Sequence, residues 1–553
     1  MQISKLNFVL VLCISLISTT LFSQGNYWIS FSDKNQSTYT LQHPEAFLTE
    51  KAIDRRFRQG IAIQENDLPV NPVYVEAIRA ICPQIHIVSK WLNAVSVSIK
   101  DVRQLEQIKQ LAFVKSVSSV RTLKNNSKNN LESKFEPIIT IGTPAFNGSK
   151  YGAGFNQVNM IAIDSVHALG YTGKGMDIAV FDAGFTNVDN LDFFSIARQE
   201  GRIIPVWNYV DTNANVFIRS FHGTNVMSVM CSQINNVFVG AAPDARYFLF
   251  ITEDQYHEQI IEEDNWVAAA EKADSIGVDI FTTSLGYTEF DDTTTNHTYA
   301  EMNGDSTVIT KAANIAASKG ILVVNSAGNE GNSSWRYISA PADGDSVLTI
   351  GAVNEYGILA GFSSRGPNSS NHLKPNVCGQ GANITVCSQT NSVVGKSNGT
   401  SFSGPLIAAS SACLWQAFPN KTNMEIFHEI EKCSHIYDTP NFDYGFGIPN
   451  FYKAFQKLEN EILSQNPAIT IPKVYPNPFR NTITILWNSN SDSPIQVALF
   501  NSLGQCITTQ DITLPANTFS KVFLNHLEEK DAGTYTLRIT QNKQSYTTTL
   551  IKY

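Results

Sequence analysis

The chain has 553 residues, too many for one ordinary hydrophobic core, so two or more domains are expected. Hydrophobic residues make up 43% and charged residues 16%, a globular composition and not a disordered one. A formal net charge of −9 argues against a nucleic-acid partner, which needs a cationic surface to displace counterions.

Residues 1–23 read as a secretory signal peptide: Lys5 precedes an apolar run from Phe8 to Ile14, and small polar residues lead to a cut after Ser23. The run is shorter than the roughly 20 residues a membrane-spanning helix needs, and no later segment is long and apolar enough to cross a bilayer. Cys13 leaves with the signal. Cys82, Cys231, Cys378, Cys387, Cys413, Cys433 and Cys506 remain, an odd number without Cys-x-x-Cys spacing, so neither a zinc ribbon nor a disulfide framework is indicated. Export permits a bridge, with Cys378 and Cys387 the nearest pair; buried free thiols are the alternative.

Residues 24–135 form a small α/β unit. Tyr27–Phe31 suits a strand, Val95, Val97 and Ile99 alternate with serines, and Val102, Leu105, Ile108 and Leu111 mark a helical stripe. Residues 121–134, rich in Asn, Lys and Ser, read as an exposed, cleavable linker. From Tyr171 the pattern changes to apolar runs (177–181, 278–281, 321–324) alternating with helical stretches (260–273, 308–317). Such alternation predicts a mostly parallel sheet covered on both faces, with reactive groups where strands end and helices begin.

Three residues at such junctions carry chemistry. Asp182 lies in Phe-Asp-Ala-Gly, His222 in Phe-His-Gly-Thr, and Ser401 in Asn-Gly-Thr-Ser-Phe-Ser-Gly-Pro. A serine hydroxyl attacks a carbonyl only when an imidazole takes its proton and a carboxylate holds that imidazole in the right tautomer. Singly, Ser401 reads as a helix cap and His222 as a structural histidine; together they read as nucleophile, base and orienter. Pro405 is placed in the first turn of a helix opened by Ser401, where its missing donor has no helical partner. Asn329, in a strong turn signal, is the candidate second oxyanion donor.

The order Asp, His, Ser, with Asn325–Gly331, Thr283–Gly286, Gly240–Pro243 and Phe362–Pro367, resembles the subtilisin-like serine proteases over residues 150–460. The resemblance implies a three-layer α/β fold with a mostly parallel central sheet, and an acyl-enzyme on Ser401. It places Ser284, Leu285, Gly286, Ala327 and Gly328 along a cleft for protein or peptide substrates. It also makes residues 24–135 a propeptide that assists folding and blocks the cleft until it is cut. Ala183, Phe402 and Ser403 depart from the usual residues without removing a reacting atom. A catalytically inactive binding or adhesion protein and an esterase using the same triad are the alternatives. No cofactor is required and no metal ligand is assigned; the acidic stretch 289–295 matches no fixed calcium-loop spacing and reads better as a solvated loop.

Residues 470–553 alternate as a small β-sandwich, for example Tyr535, Leu537 and Ile539 between polar neighbours. Val474–Phe479, Gly533–Tyr535 and Ile551–Tyr553 resemble the sorting domain of the type IX secretion system. That resemblance implies passage through the periplasm to a secreted or cell-surface location, with the secretion machinery as partner. A carbohydrate-binding or adhesive sandwich is the alternative.

Overall fold

The computed structural model describes residues 25–122, 135, 139–142, 148–465, 472–489, 491–513, 518–542 and 544–552. The expected signal peptide and residues 123–134 of the linker lie outside these. The chain divides into two compact units, one of residues 1–41, 64–130 and 292–295, the other of 42–63, 131–291 and 296–553.

The first unit is an antiparallel sheet of order β2-β3-β1-β4 with two helices. Its strands are β1 (Gly25–Phe31), β2 (Ile85–Ser89), β3 (Ala94–Ile99) and β4 (Val114–Thr122). A first helix of the chain, α1 (Glu50–Arg58), belongs to the second unit; α2 (Pro72–Ile81) and α3 (Val102–Lys109) belong here. Ile29, Val95, Val97, Ile78 and Ile108 form the core. The serines of β3 are buried as well: Ser98 donates to Asn26 Oδ1 at 2.6 Å, so period-two alternation did not mark an exposed face.

The second unit continues with β5 (Ile139–Gly142), α4 (Phe155–Met160), α5 (Ile163–Ala168), β6 (Asp177–Asp182), α6 (Ser195–Gln199) and β7 (Ile203–Asn208). Next come α7 (His222–Cys231), the short ribbon β8 (Gln233–Ile234) and β9 (Phe238–Val239), then β10 (Arg246–Ile251), α8 (Ile261–Ile276) and β11 (Ile280–Thr283). They are followed by α9 (Val308–Ser318), β12 (Leu322–Ser326), β13 (Val347–Val353), β14 (Val377–Gln380), β15 (Ile384–Cys387) and β16 (Val394–Ser397). Helices α10 (Thr400–Ala417), α11 (Asn423–Lys432) and α12 (Phe451–Gln465) complete this part.

Seven strands form one sheet in the order β14-β13-β12-β11-β6-β10-β7, and every pair in it is parallel. All six residues of β6 are buried, so both faces of the sheet are covered, as a parallel sheet requires. Helix α10 is apolar around most of its circumference, with Leu406, Ile407, Ala409 and Ala412 fully buried, which makes it a core helix and not a surface one. Crossovers through helices link β6 to β7, β10 to β11 and β11 to β12, while loops alone link β12 to β13 and β13 to β14, and all return the strands in the same direction. The carboxyl ends of β6, β10, β11 and β12 therefore share one edge, where a functional site belongs.

The C-terminal strands are β17 (Lys473–Tyr475), β18 (Ile483–Ser489), β19 (Ile495–Asn501), β20 (Cys506–Ile512), β21 (Thr518–Leu524), β22 (Gly533–Gln541) and β23 (Gln544–Lys552). They form two antiparallel sheets, β17-β18-β21 and β20-β19-β22-β23, around a common core of Ile485, Trp487, Leu499, Leu537 and Ile539. In β22 Tyr535, Leu537 and Ile539 point inward, following the alternation in the sequence.

Candidate active site

Asp182 is the last residue of β6 and His222 the first of α7. The carboxylate is fully buried; its Oδ1 and Oδ2 lie 2.9 and 3.0 Å from His222 Nδ1, and Oδ1 also accepts from Ala183 N at 2.8 Å. A buried carboxylate is costly without such partners. By accepting at Nδ1, Asp182 fixes the histidine proton there and leaves Nε2 as the basic nitrogen. Glycine is what lets the two elements meet. Gly184 has φ +153, and a Cβ there would stand 2.3 Å from the carbonyl oxygen of Ile218; a Cβ on Gly223 would stand 2.4 Å from the carbonyl oxygen of Gly184.

Ser401 is the second residue of α10, almost wholly buried, beside Phe402, whose ring centroid lies 5.7 Å from that of His222. The structure does not join Ser401 to His222 by a hydrogen bond: the Ser401 hydroxyl donates to the carbonyl of Ser284 at 3.3 Å. Rotation about one side-chain bond redirects such a hydroxyl, and catalytic bonds are commonly misaligned without substrate. Pro405 is not in the first turn, as the sequence implied. Because α10 begins at Thr400, Pro405 stands in the second turn and withholds the donor that would reach the Ser401 carbonyl. Ser284 Oγ supplies it, donating to that carbonyl at 2.7 Å. Ser284 and Ser401 are thus reciprocally bonded, which gives Ser284 a role the sequence did not reveal.

Asn329 is exposed on the loop after β12, and its Oδ1 accepts from Thr400 N at 2.9 Å and from Thr400 Oγ1 at 3.0 Å. With the oxygen so held, the amide NH2 is turned away from Thr400. Thr400 Oγ1 also lies 3.1 Å from the carbonyl oxygen of Gly328 and 3.2 Å from its nitrogen, so this hydroxyl ties the loop to the helix that carries Ser401. Sequence reasoning quoted Thr400 only as part of a motif. The side chains of Leu285 and Ala327 are buried and present no surface; Gly286 admits Ser339, whose Oγ would stand 2.1 Å from a Cβ at 286.

One aromatic residue was not anticipated. The ring of Phe135 stacks on His222 with centroids 4.1 Å apart and planes 22° apart. Four residues later β5 pairs antiparallel with β16, the strand leading into the Ser401 turn, with Ile139 opposite Lys396 and Gly142 opposite Val394.

Residues 173–447 match the subtilase family over the span that holds Asp182, His222, Asn329 and Ser401. That stretch belongs to the subtilase family. Residues 26–134 match the peptidase S8 propeptide domain of Bacteroidota, and residues 473–553 match a secretion system C-terminal sorting domain. The chain is similar to subtilisin E of Bacillus subtilis (strain 168), 28% identical over 306 residues, covering 54% of this chain and 70% of that protein. It is also similar to the minor extracellular protease Epr of the same strain, 26% identical over 424 residues, covering 74% of this chain and 57% of Epr. Among solved structures it resembles MycP1 from Mycobacterium smegmatis, with TM-score 0.45, 20% identity, and coverage of 59% of this chain and 89% of that one.

Elsewhere in the subtilase region, Glu253, Glu258 and Glu262 bring carboxylate oxygens within 4.8 Å of one another. Two of them already serve the fold: Glu253 accepts from Tyr287 Oη at 2.6 Å, and Glu262 accepts from Asp254 N and Gln259 N ahead of α8. Within the acidic stretch 289–295, Asp292 accepts from Thr294 N and Thr294 Oγ1, the bonding of a self-capped loop. The seven described cysteines are all free thiols, six of them buried, and Cys378 and Cys387 form no disulfide. Burial pushes the Cys387 thiol up to about 12.

Proposed function

We propose that this chain is a secreted serine endopeptidase in which Ser401 is the nucleophile, His222 the general base and Asp182 its orienter. The observation that carries the reading is the doubly contacted, buried Asp182–His222 pair, set on the same sheet edge as a serine at the start of a buried helix. His222 Nε2 takes the Ser401 proton as Oγ attacks the scissile carbonyl, then returns it to the leaving amine; water completes hydrolysis of the acyl-enzyme by the same route. The negative oxygen of each tetrahedral intermediate is received by the Ser401 N–H and the Asn329 amide, aided by the positive end of α10. Ser284–Gly286 and Ala327–Gly328, just past the ends of β11 and β12, offer the backbone on which a substrate peptide adds as a further strand. These steps draw on no organic cofactor.

Residues 24–135 act as an intramolecular inhibitor, and Phe135 on His222 supports that reading by covering the base. The C-terminal region directs export through the periplasm to the exterior or the cell surface. The experiment is hydrolysis of casein and of short-chain esters by the processed chain. Casein turnover that vanishes in Ser401→Ala supports the assignment, and undiminished turnover in that variant overturns it. A second reading, an inactive subtilase-shaped binding protein, is favoured by the Ser401 hydroxyl facing Ser284 and not His222; it predicts no turnover of either substrate.

A further inference from the structure

Helix α1 lies in the part of the chain matched as propeptide, yet its side chains are built into the second unit at the sheet edge opposite Asp182. Arg55 and Arg56 are essentially fully buried and both pair with Asp274, itself fully buried: Arg55 Nη2 lies 2.5 Å from Oδ1, and Arg56 Nη2 lies 2.9 Å from each oxygen. Lys51 Nζ reaches Asp177 and Asp279, at the amino ends of neighbouring strands, at 2.6 and 2.8 Å. The segment also completes two helices whose last carbonyls lack internal donors. Thr49 donates to the carbonyls of Ser275 and Ile276, the last two residues of α8, while Arg55 Nε and Gln59 Nε2 donate to those of Lys319 and Gly320 just after α9. Gln59 Oε1 accepts from Asn423 N at 2.9 Å. The fit leaves no room, since a Cβ on Gly277 would stand 2.6 Å from Ala52 N.

We infer that residues 42–63 are a permanent structural member of the catalytic unit, so that the N-terminal fragment stays bound as a non-covalent subunit after the linker is cut. This rests on the reading of residues 121–134 as a processing linker. A detachable inhibitor would meet a surface that is stable without it. Here departure strips two guanidinium partners from a buried carboxylate and leaves helix-end carbonyls unpaired, which opposes release far more than exposed contacts do. Residues 42–63 themselves dock at the amino edge of the sheet, opposite the end that carries Asp182.

The test uses the full chain carrying Ser401→Ala and the recognition sequence of a specific added protease within residues 123–134, so that cutting does not depend on the chain's own activity. After cutting, native mass spectrometry and gel filtration at micromolar concentration in 1 M salt should show the two fragments together, one to one. Amides of α1 should remain as slow to exchange as those of α8. In the same background Arg55→Met with Arg56→Met should weaken the association on the order of 100-fold or more. Fragments that part on cutting, α1 amides that exchange freely while α8 stays protected, or a double variant that binds as tightly would each overturn the inference. Absence of peptidase activity in the native chain would leave these results standing.

Discussion

At the scale of single residues, the proposed mechanism gives Asn329 and Ser284 supporting roles beside Ser401. Asn329 is held by Thr400 through its oxygen, which commits its NH2 to the other side. Asn329→Ala should lower kcat by about 100- to 1,000-fold, the size associated with losing one oxyanion donor, with KM little changed; steady-state kinetics on a peptide substrate measures this. Ser284→Ala removes the donor that replaces the one Pro405 lacks, leaving the buried Ser401 carbonyl unpaired. A loss of about 1–3 kcal/mol in denaturant unfolding is expected, together with slower acylation. Asp182, His222 and Ser401 were legible because each sits in a glycine-bearing motif at a strand end or helix start. The bonds of Ser284 and Thr400 were not, because they join residues more than 70 positions apart through backbone carbonyls, which carry no sequence signal.

At the scale of elements, the pairing of β5 with β16 lies next to the aromatic residue that the proposed inhibition invokes. Phe135 covers His222 where β5 leads away along β16. Phe135→Ala in the uncut chain should raise the rate at which a small fluorophosphonate modifies Ser401 several-fold, read by intact mass against time; an unchanged rate would mean that the ring does not shield the base. The apolar runs at 177–181 and 321–324 and the helical stretches at 260–273 and 308–317 became β6, β12, α8 and α9 with no end shifted by more than three residues. The start of α10 was harder to read, since a proline is expected in the first turn, which places Pro405 there in a helix opened by Ser401. Tertiary support from Ser284 lets the helix begin at Thr400 instead. The place of α1 was also illegible: Arg55 and Arg56 are buried through pairing with Asp274, 219 and 218 positions away, and nothing local in the sequence marks such a pairing.

At the scale of the whole molecule, a buried imidazole contributes to the dependence of stability on acid. His167 is enclosed in the main core, donates from Nε2 to the Ala241 carbonyl at 2.9 Å and accepts at Nδ1 from Tyr151 Oη at 2.9 Å. Burial, with the nearby Lys150 charge, depresses its pKa from 6.5 to about 4. The unfolded chain therefore binds a proton that the folded chain refuses between those values, and stability falls as pH drops from about 6.5 to about 4. That shift corresponds to about 3 kcal/mol. His167→Gln should flatten this slope in urea titrations at several pH values, even where it lowers stability overall.

The measurement that bears most directly on the account is covalent labelling of the processed chain by a fluorophosphonate, with the adduct located by peptide mass spectrometry. The account predicts one stoichiometric adduct on Ser401, strongly slowed by His222→Ala and by Asp182→Asn. An adduct on another serine, or labelling of Ser401 that is indifferent to both substitutions, would contradict it.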